Sequence, residues 1–311
     1  MGLDVVEIPY DSGHRDRRMG AGPGHLMRHG LVDALRAIDP DVSACRLETA
    51  DGFVTEIGSA FDLHRAAAAR VSRAVRSGAM PLVLSGNCNS AIGTVAGLRA
   101  ALPGERIGVV WFDGHGDCNT PETFTGDFLD AMGLSTLTGR CWQALARTVP
   151  GFRPLPDCDV ILVGGHGMDD GARSVLAASD IAIVSPADIR TSGAGAALAP
   201  RLDVLRQRGV TRVYLHLDVD VVDAAYAPAN GFAPKGGLLP DEICAVLGRV
   251  LDDFDPAAAC VASYDPAFDG DDRIRDIALR FLAQAASRRI ADAARGAAGA
   301  APLAIRPADA P

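Results

Sequence analysis

The sequence predicts an α/β fold in three layers, with a mostly parallel central sheet covered by helices on both faces. Three observations carry this reading. Short apolar runs alternate along the chain with longer segments of helical apolar spacing, the pattern of repeated strand–helix–strand units. Two of the apolar runs end in clusters of acidic residues and histidine, where the carboxyl ends of parallel strands place a site. No internal repeat and no linker interrupts the 311 residues, so residues 1–292 read as one domain.

The elements follow in order. Residues 3–9 form an apolar first strand, residues 11–24 a loop rich in glycine and arginine, and residues 25–38 a helix. Residues 61–77 form a helix rich in alanine and arginine, with no glycine or proline inside it. Residues 80–85 are a short strand of the fully buried type, closed by Gly86, and a helix spans 90–101. The strand at 107–112 comes next, and after a polar loop residues 128–145 have helical spacing. Residues 159–163 and 181–184 are short β-branched runs. A helix at 196–208 leads into a strand at 212–217, a helix follows at 241–252, a last strand at 259–263 and a last helix at 274–291. Residues 293–311 are rich in alanine, proline and glycine without periodicity, which predicts a disordered tail.

The strand at 107–112 runs into Asp113-Gly-His115-Gly-Asp117, and the strand at 212–217 into Asp218-Val-Asp220. Side chains two apart in an extended strand point the same way, roughly 6.5–7 Å apart. Two such ends side by side hold four carboxylates and one imidazole around a small space. Four negative charges share a pocket only when cations neutralise them. A single acidic residue at a strand end commonly faces water; two spaced clusters with a histidine embedded in one predict a metal site, with two metals.

Composition narrows the rest. A net charge of −9 argues against a nucleic-acid partner, which needs a basic surface, and against a polybasic membrane anchor. No apolar stretch reaches the length of a membrane span, and the first residues lack the layout of a signal peptide, so a cytoplasmic location is expected. The seven cysteines are odd in number and contain no Cys-x-x-Cys pair, which fits neither a disulfide framework nor a zinc knuckle. Cys88 and Cys118 stand out because both fall in suspected site loops.

These segments resemble the ureohydrolase superfamily of arginase, agmatinase and formiminoglutamase. That family carries Gly-Gly-Asp-His-Ser, Asp-Ala-His-x-Asp and Ser-x-Asp-x-Asp-x-x-Asp-Pro motifs in that order. The corresponding segments are Gly86-Asn-Cys-Asn-Ser90, Asp113-Gly-His-Gly-Asp117 and His216-Leu-Asp-Val-Asp-Val-Val-Asp223; the first is degraded and the other two are strong. Ile8-Pro-Tyr-Asp-Ser-Gly13 with Gly20-Ala-Gly-Pro23 is similar to the family's N-terminal loop, and Gly236-Gly-Leu238 to its turn after the last motif. The likeness runs from Val5 to about Leu282 and implies an arginase-like fold.

The resemblance implies that Asp113 and Asp218 bridge two metals, with Asp117 on one and His115 and Asp220 on the other. The family's remaining ligand is a histidine where this sequence has Asn89, so that metal is expected to be held more weakly. Cys88 is a possible helper, although a thiolate suits manganese poorly. His216 offers either support to that metal or a hydrogen bond to a ligand carboxylate. The mainly carboxylate set suits Mn²⁺, two per chain. A hydroxide between the metals then attacks the carbon of a guanidine or amidine. Arginases deliver the leaving group's proton from a histidine, and Asp130 stands near that position. Asp130 reads equally as a proton shuttle and as a helix N-cap.

Substrate contacts are implied at Asn119, Thr125 and Asp169. The glutamate that anchors a guanidinium is replaced by Ser263, with Asp265 one turn on as the nearest carboxylate. The expected partner is therefore a small guanidino or amidino substrate, and a homo-oligomer is expected. His14, His25, His29 and His64 read as surface or packing residues, while His166 is undecided. Two other readings stand beside this one. A non-catalytic relative binding a ligand or partner is suggested by Asn89, Asp130 and Ser263. A zinc deacetylase of related architecture is disfavoured by the missing His-His dyad.

Overall fold

A computed structural model describes residues 2–49, 55–124, 126 and 128–299, with side chains to residue 291. The chain opens with β1 (Leu3–Ile8), the hairpin β2 (Tyr10–Asp11) and β3 (His14–Arg15), and helices α1 (Gly22–Arg28) and α2 (Leu31–Arg36). Next come β4 (Val42–Arg46), α3 (Glu56–Arg76), β5 (Met80–Ser85), α4 (Ala91–Ala101) and β6 (Arg106–Asp113). Two short helices, α5 (Gly133–Leu137) and α6 (Gln143–Ala146), lead to β7 (Val160–Gly164), α7 (Asp170–Ala177) and β8 (Ala182–Val184). The chain finishes with α8 (Pro186–Gln207), β9 (Val210–Asp218), α9 (Pro240–Asp253), β10 (Asp255–Ala262) and α10 (Arg273–Gly299).

Eight strands form one parallel sheet in the order β4-β1-β5-β10-β9-β6-β7-β8. Alternate residues of each strand feed opposite faces, as the period of two requires. Leu3 and Val5 of β1 join Val246, Val250 and Phe281 on one face. Val6 and Ile8 join Phe61, Val71 and Val95 on the other. Strands buried on both faces read in sequence as unbroken apolar runs, which is why β5 and β6 were legible. Among the described residues no helix is long and apolar enough to cross a membrane.

The structure departs from the expected elements where glycine or an edge position weakens the signal. The helix expected over 25–38 breaks into α1 and α2 at Gly30, whose φ of 100° no helix tolerates. The helix expected over 128–145 is a 3₁₀ turn, α5 and α6, interrupted by left-handed residues at Gly139 and Trp142. Strand β4 was missed because it is an edge strand with a mixed burial pattern. Helix α8 starts well before residue 196, at a capping box between Ser185 and Asp188, and kinks at Gly193. Helix α10 continues to Gly299, into the stretch expected to be a tail; residues 300–311 lie outside the described residues.

Candidate metal centre

Strands β5, β10, β9 and β6 lie side by side and end at one edge of the sheet. Phe112 pairs with Leu217 across the ladder, which sets Asp113 beside Asp218 at the next step. Beyond those two residues the extended backbone stops. His115 and Asp117 ride on a turn in which Gly116 and Asp117 are left-handed, with φ of 112° and 48°, and Asp220 sits in a 3₁₀ turn over Val219–Val221. The two-residue spacing therefore marks the right residues, but turns and not strand pleats aim them.

Three of the four carboxylates are fixed by backbone or ring donors. Asp113 accepts from the His115 amide at 2.6 Å and from Trp111 Nε1 at 2.9 Å. Asp218 Oδ1 accepts from the Asp220 amide at 2.8 Å, and Asp220 Oδ1 accepts from the Gly114 amide at 3.0 Å. His115 Nδ1 lies 3.2 Å from Asp220 Oδ2. Potential ligand atoms of Asp113, His115 and Asp220 all fall within 4.8 Å of one another. Asp117 Oδ2 is buried with no hydrogen-bond partner.

The charges do not balance. Burial opposes a charge on His115, but the Asp220 hydrogen bond and charge, with Asp113 behind them, lift it to about 9. Burial also works against the Asp220 carboxylate, and His115 overrides it and holds that carboxyl below the usual range. One ion pair is thus satisfied. Burial first and the Asp220 charge second raise Asp113 to about 6, and burial with the neighbouring carboxylates pushes Asp117 and Asp218 well up. Three carboxylates with too little positive charge, one carrying an unpaired oxygen, fit divalent cations.

The loop after β5 differs from expectation. Asn89 does not reach the acidic cluster; it lines a small separate cavity with His64 and Ser90. The residue facing the cluster is Cys88, whose Sγ donates to Asp218 Oδ2 at 2.9 Å and lies 3.3 Å from Ser263 Oγ. Of the two residues, it is Cys88 and not Asn89 whose side chain contacts the acidic cluster. The reason is the tight 3₁₀ turn Cys88–Ser90, which turns successive side chains to different sides. Gly86 permits the turn's depth: a Cβ there would stand 2.2 Å from the Tyr10 carbonyl.

Asp130, in the 3₁₀ turn Leu129–Met132, binds this same loop. Its carboxylate accepts from the Asn89 amide at 2.7 Å, the Cys88 amide at 3.0 Å and Asn87 Nδ2 at 2.9 Å. Burial nevertheless raises it to about 7. Both oxygens are occupied, so Asp130 clamps the loop, and the N-cap of its own turn is Phe128 and not Asp130.

Above the carboxylates lies a cavity of about 380 Å³. Its walls include His115, Asp117, Asn119, Asp130, Asp169, Asp218, Asp220 and Ser263, all singled out by the sequence. Asn119 Nδ2 donates to Asp169 Oδ2 at 2.8 Å, while Asp169 Oδ1 caps α7 through the Ala172 amide. Ser263 is left-handed (φ 63°) and buried, with its carbonyl held by Asn230. Asp265 turns away to cap Pro266–Phe268 through the Ala267 amide and does not line the cavity. Thr125 lies outside the described residues.

The family profile that fits the chain is that of the arginase family, over residues 2–287. The chain belongs to the arginase family. It is 29% identical over 247 residues to an arginase of Bacillus caldovelox, spanning 76% of this chain and 81% of that protein. It is 28% identical over 248 residues to human arginase-1, spanning 76% of each. The solved B. caldovelox arginase superposes with a TM-score of 0.80 at 25% identity, over 93% of this chain and 98% of that one. A formimidoylglutamase structure from Bacillus subtilis shares the fold, with a TM-score of 0.73 at 17% identity over 93% of this chain and 87% of that one.

For an arginase-family chain, the cavity also holds residues that sequence reasoning passed over. Met19, Phe124, Phe128 and Phe232 give it apolar walls, with the rings of Phe128 and Phe232 stacked at 5.7 Å. Arg18 lines it from the N-terminal loop. Lone apolar residues in loops carry no periodicity, so no pattern announced them. His216 is buried beneath the site, stacked on Trp111 at 3.7 Å and hydrogen-bonded through Nδ1 to the Tyr214 hydroxyl at 2.8 Å. Burial lowers it to about 3, so it is a neutral packing partner of the ring that holds Asp113. His64 is likewise buried, edge-on to Phe61.

Proposed function

We propose that the chain is a dimetal hydrolase that cleaves a linear carbon–nitrogen bond in a small guanidino or amidino compound. The observation that carries this is the cluster of four carboxylates, three of them on buried residues, with one imidazole to neutralise them. Asp113 and Asp218 would be shared between two cations, with Asp117 serving one and His115 and Asp220 the other. Oxygen donors in this proportion suit hard ions of the Mn²⁺ type. When bound, a pair of such cations supplies Lewis acidity and lowers the pKa of water at the site. The arginase names of the relatives favour a guanidino substrate.

The chain's own residues do the rest. Trp111 and the His115 amide hold Asp113 in one orientation, and Asp130 holds the loop that carries Cys88. The Asn119–Asp169 pair offers a polar wall for an amino-acid end of the substrate. Ser263 cannot pair with a guanidinium, and burying one beside it without a carboxylate costs about several kcal/mol. The preferred substrate therefore has a modified, less basic guanidino or amidino end. The proposal keeps a cytoplasmic homo-oligomer as its setting.

The test is a panel of guanidino and amidino compounds assayed for urea or amine release with the manganese-loaded protein. We expect turnover of at least one compound, and arginine at least about tenfold below it, a difference of about 1.4 kcal/mol. Efficient arginine hydrolysis overturns the substrate reading. Tight metal binding without turnover of any compound would favour the second reading, a ligand-binding relative, for which the occupied oxygens of Asp130 speak.

A further inference from the structure

We infer that Cys88 supplies a thiolate to the metal position bounded by Asp218 and Asp117, and that this position prefers a borderline-soft divalent cation such as Zn²⁺ or Co²⁺ to Mn²⁺. The inference rests on the reading of the acidic cluster as a metal centre and deepens it by assigning the donor and the class of ion.

Four observations carry it. The Cys88 side chain is fully buried, yet its sulfur faces the Asp218 carboxylate at 2.9 Å instead of ending among hydrocarbon. A sulfur and a carboxylate oxygen that close together are placed as two donors converging on one ion. In the same cluster, Asp117 Oδ2 is buried without a hydrogen-bond partner. The loop is pinned on the far side by three hydrogen bonds to Asp130, so the thiol is held in place and does not sample other partners.

Cys88 has no competing use. It does not line the substrate cavity, so it is not placed as a nucleophile toward substrate. It is free of any disulfide. In the structure the thiol carries its proton and donates it to Asp218. On binding, the S–H bond breaks, the proton leaves to solvent and a sulfur–metal bond forms, with no change of oxidation state. A thiolate among oxygen donors shifts preference from Mn²⁺ toward Zn²⁺ and Co²⁺, while the His115–Asp220 position gains no soft donor.

The full chain is loaded with Co²⁺, and two quantities are measured: bound cobalt per chain by elemental analysis, and the near-ultraviolet thiolate-to-cobalt charge-transfer band. We expect the band in the unaltered protein and its loss in Cys88→Ser, together with about one bound cobalt ion. Cys88→His should restore the second cobalt without the band. In competition, the preference for Zn²⁺ over Mn²⁺ at one position should be larger in the unaltered protein than in Cys88→Ser. Cobalt bound without the band, or a band that survives in Cys88→Ser, overturns the inference and leaves the metal-centre reading standing. No cobalt bound at all overturns both. If Cys88→Ser does not fold, the band and the zinc competition in the unaltered protein decide the matter.

Discussion

The site has two halves, carried by neighbouring pairs of strands, and they have kept different chemistry. On the β6 and β9 side stand Asp113, His115, Asp117, Asp218 and Asp220, with three of the four carboxylates held by backbone or ring N–H groups. On the β5 and β10 side the facing groups are the Cys88 thiol and the Ser263 hydroxyl, 3.3 Å apart and carrying no fixed charge. On the proposed function, the charged half would decide whether cations bind at all, because removing one of its members would leave the rest without a bridge. The uncharged half would decide which cation and which substrate are preferred. A family motif can thus be whole on one side of a pocket and rewritten on the other, while the sheet beneath both stays the same.

The largest effect should come from the charged half. Asp113→Ala or Asp218→Ala is expected to abolish metal binding and, with it, any hydrolysis. Ser263→Ala, on the other half, should leave metal content unchanged. Elemental analysis of the three purified variants makes the comparison. Unchanged metal content in either aspartate variant would remove the basis for treating the halves differently.

The legibility of the sequence divides along the same line. Buried parallel strands write themselves as apolar runs, and the clustered acidic residues and histidine follow β6 and β9 directly, so Asp113, His115, Asp117, Asp218 and Asp220 could be picked out as candidates from spacing alone. The loop after β5 could not be read that way. A 3₁₀ turn changes the side-chain direction with each residue, so a one-residue slip in alignment exchanges Asn89 for Cys88. Asp130 was found by its place in the motif, but its partners are backbone amides more than forty positions away in sequence, which no local pattern encodes. The aromatic wall was invisible for a related reason: Phe124, Phe128 and Phe232 come from loops, where neither period applies.

A smaller change should follow from recharging the second half. Ser263→Glu places a carboxylate on the cavity wall. It is expected to shift the ratio of kcat/KM for arginine over the preferred compound upward by about tenfold, or about 1.4 kcal/mol. Its cost is a further negative charge in a pocket already short of positive charge, so metal-free protein should lose stability. A ratio that does not move, in a variant that still binds metal, means that position 263 does not face the guanidino end. Specificity would then lie with the apolar wall.

The smallest effect is expected at Asn89, and it separates the two sides of a single turn. Asn89 contributes its amide to Asp130 at 2.7 Å, and the residue lines the small cavity with His64 and Ser90. Asn89→His keeps that amide but forces a larger ring into a filled space. The change should lower stability by about 1–3 kcal/mol, as overpacking does, and leave manganese affinity within a factor of about two. Cys88→His puts the same imidazole one position earlier, against Asp218, where a nitrogen donor replaces sulfur. There manganese affinity should rise, because imidazole suits that ion better than a thiolate. Chelator competition on the two variants side by side reads the difference. If Asn89→His tightens manganese and Cys88→His does not, the turn runs the other way, and Asn89 is the residue that faces the metal.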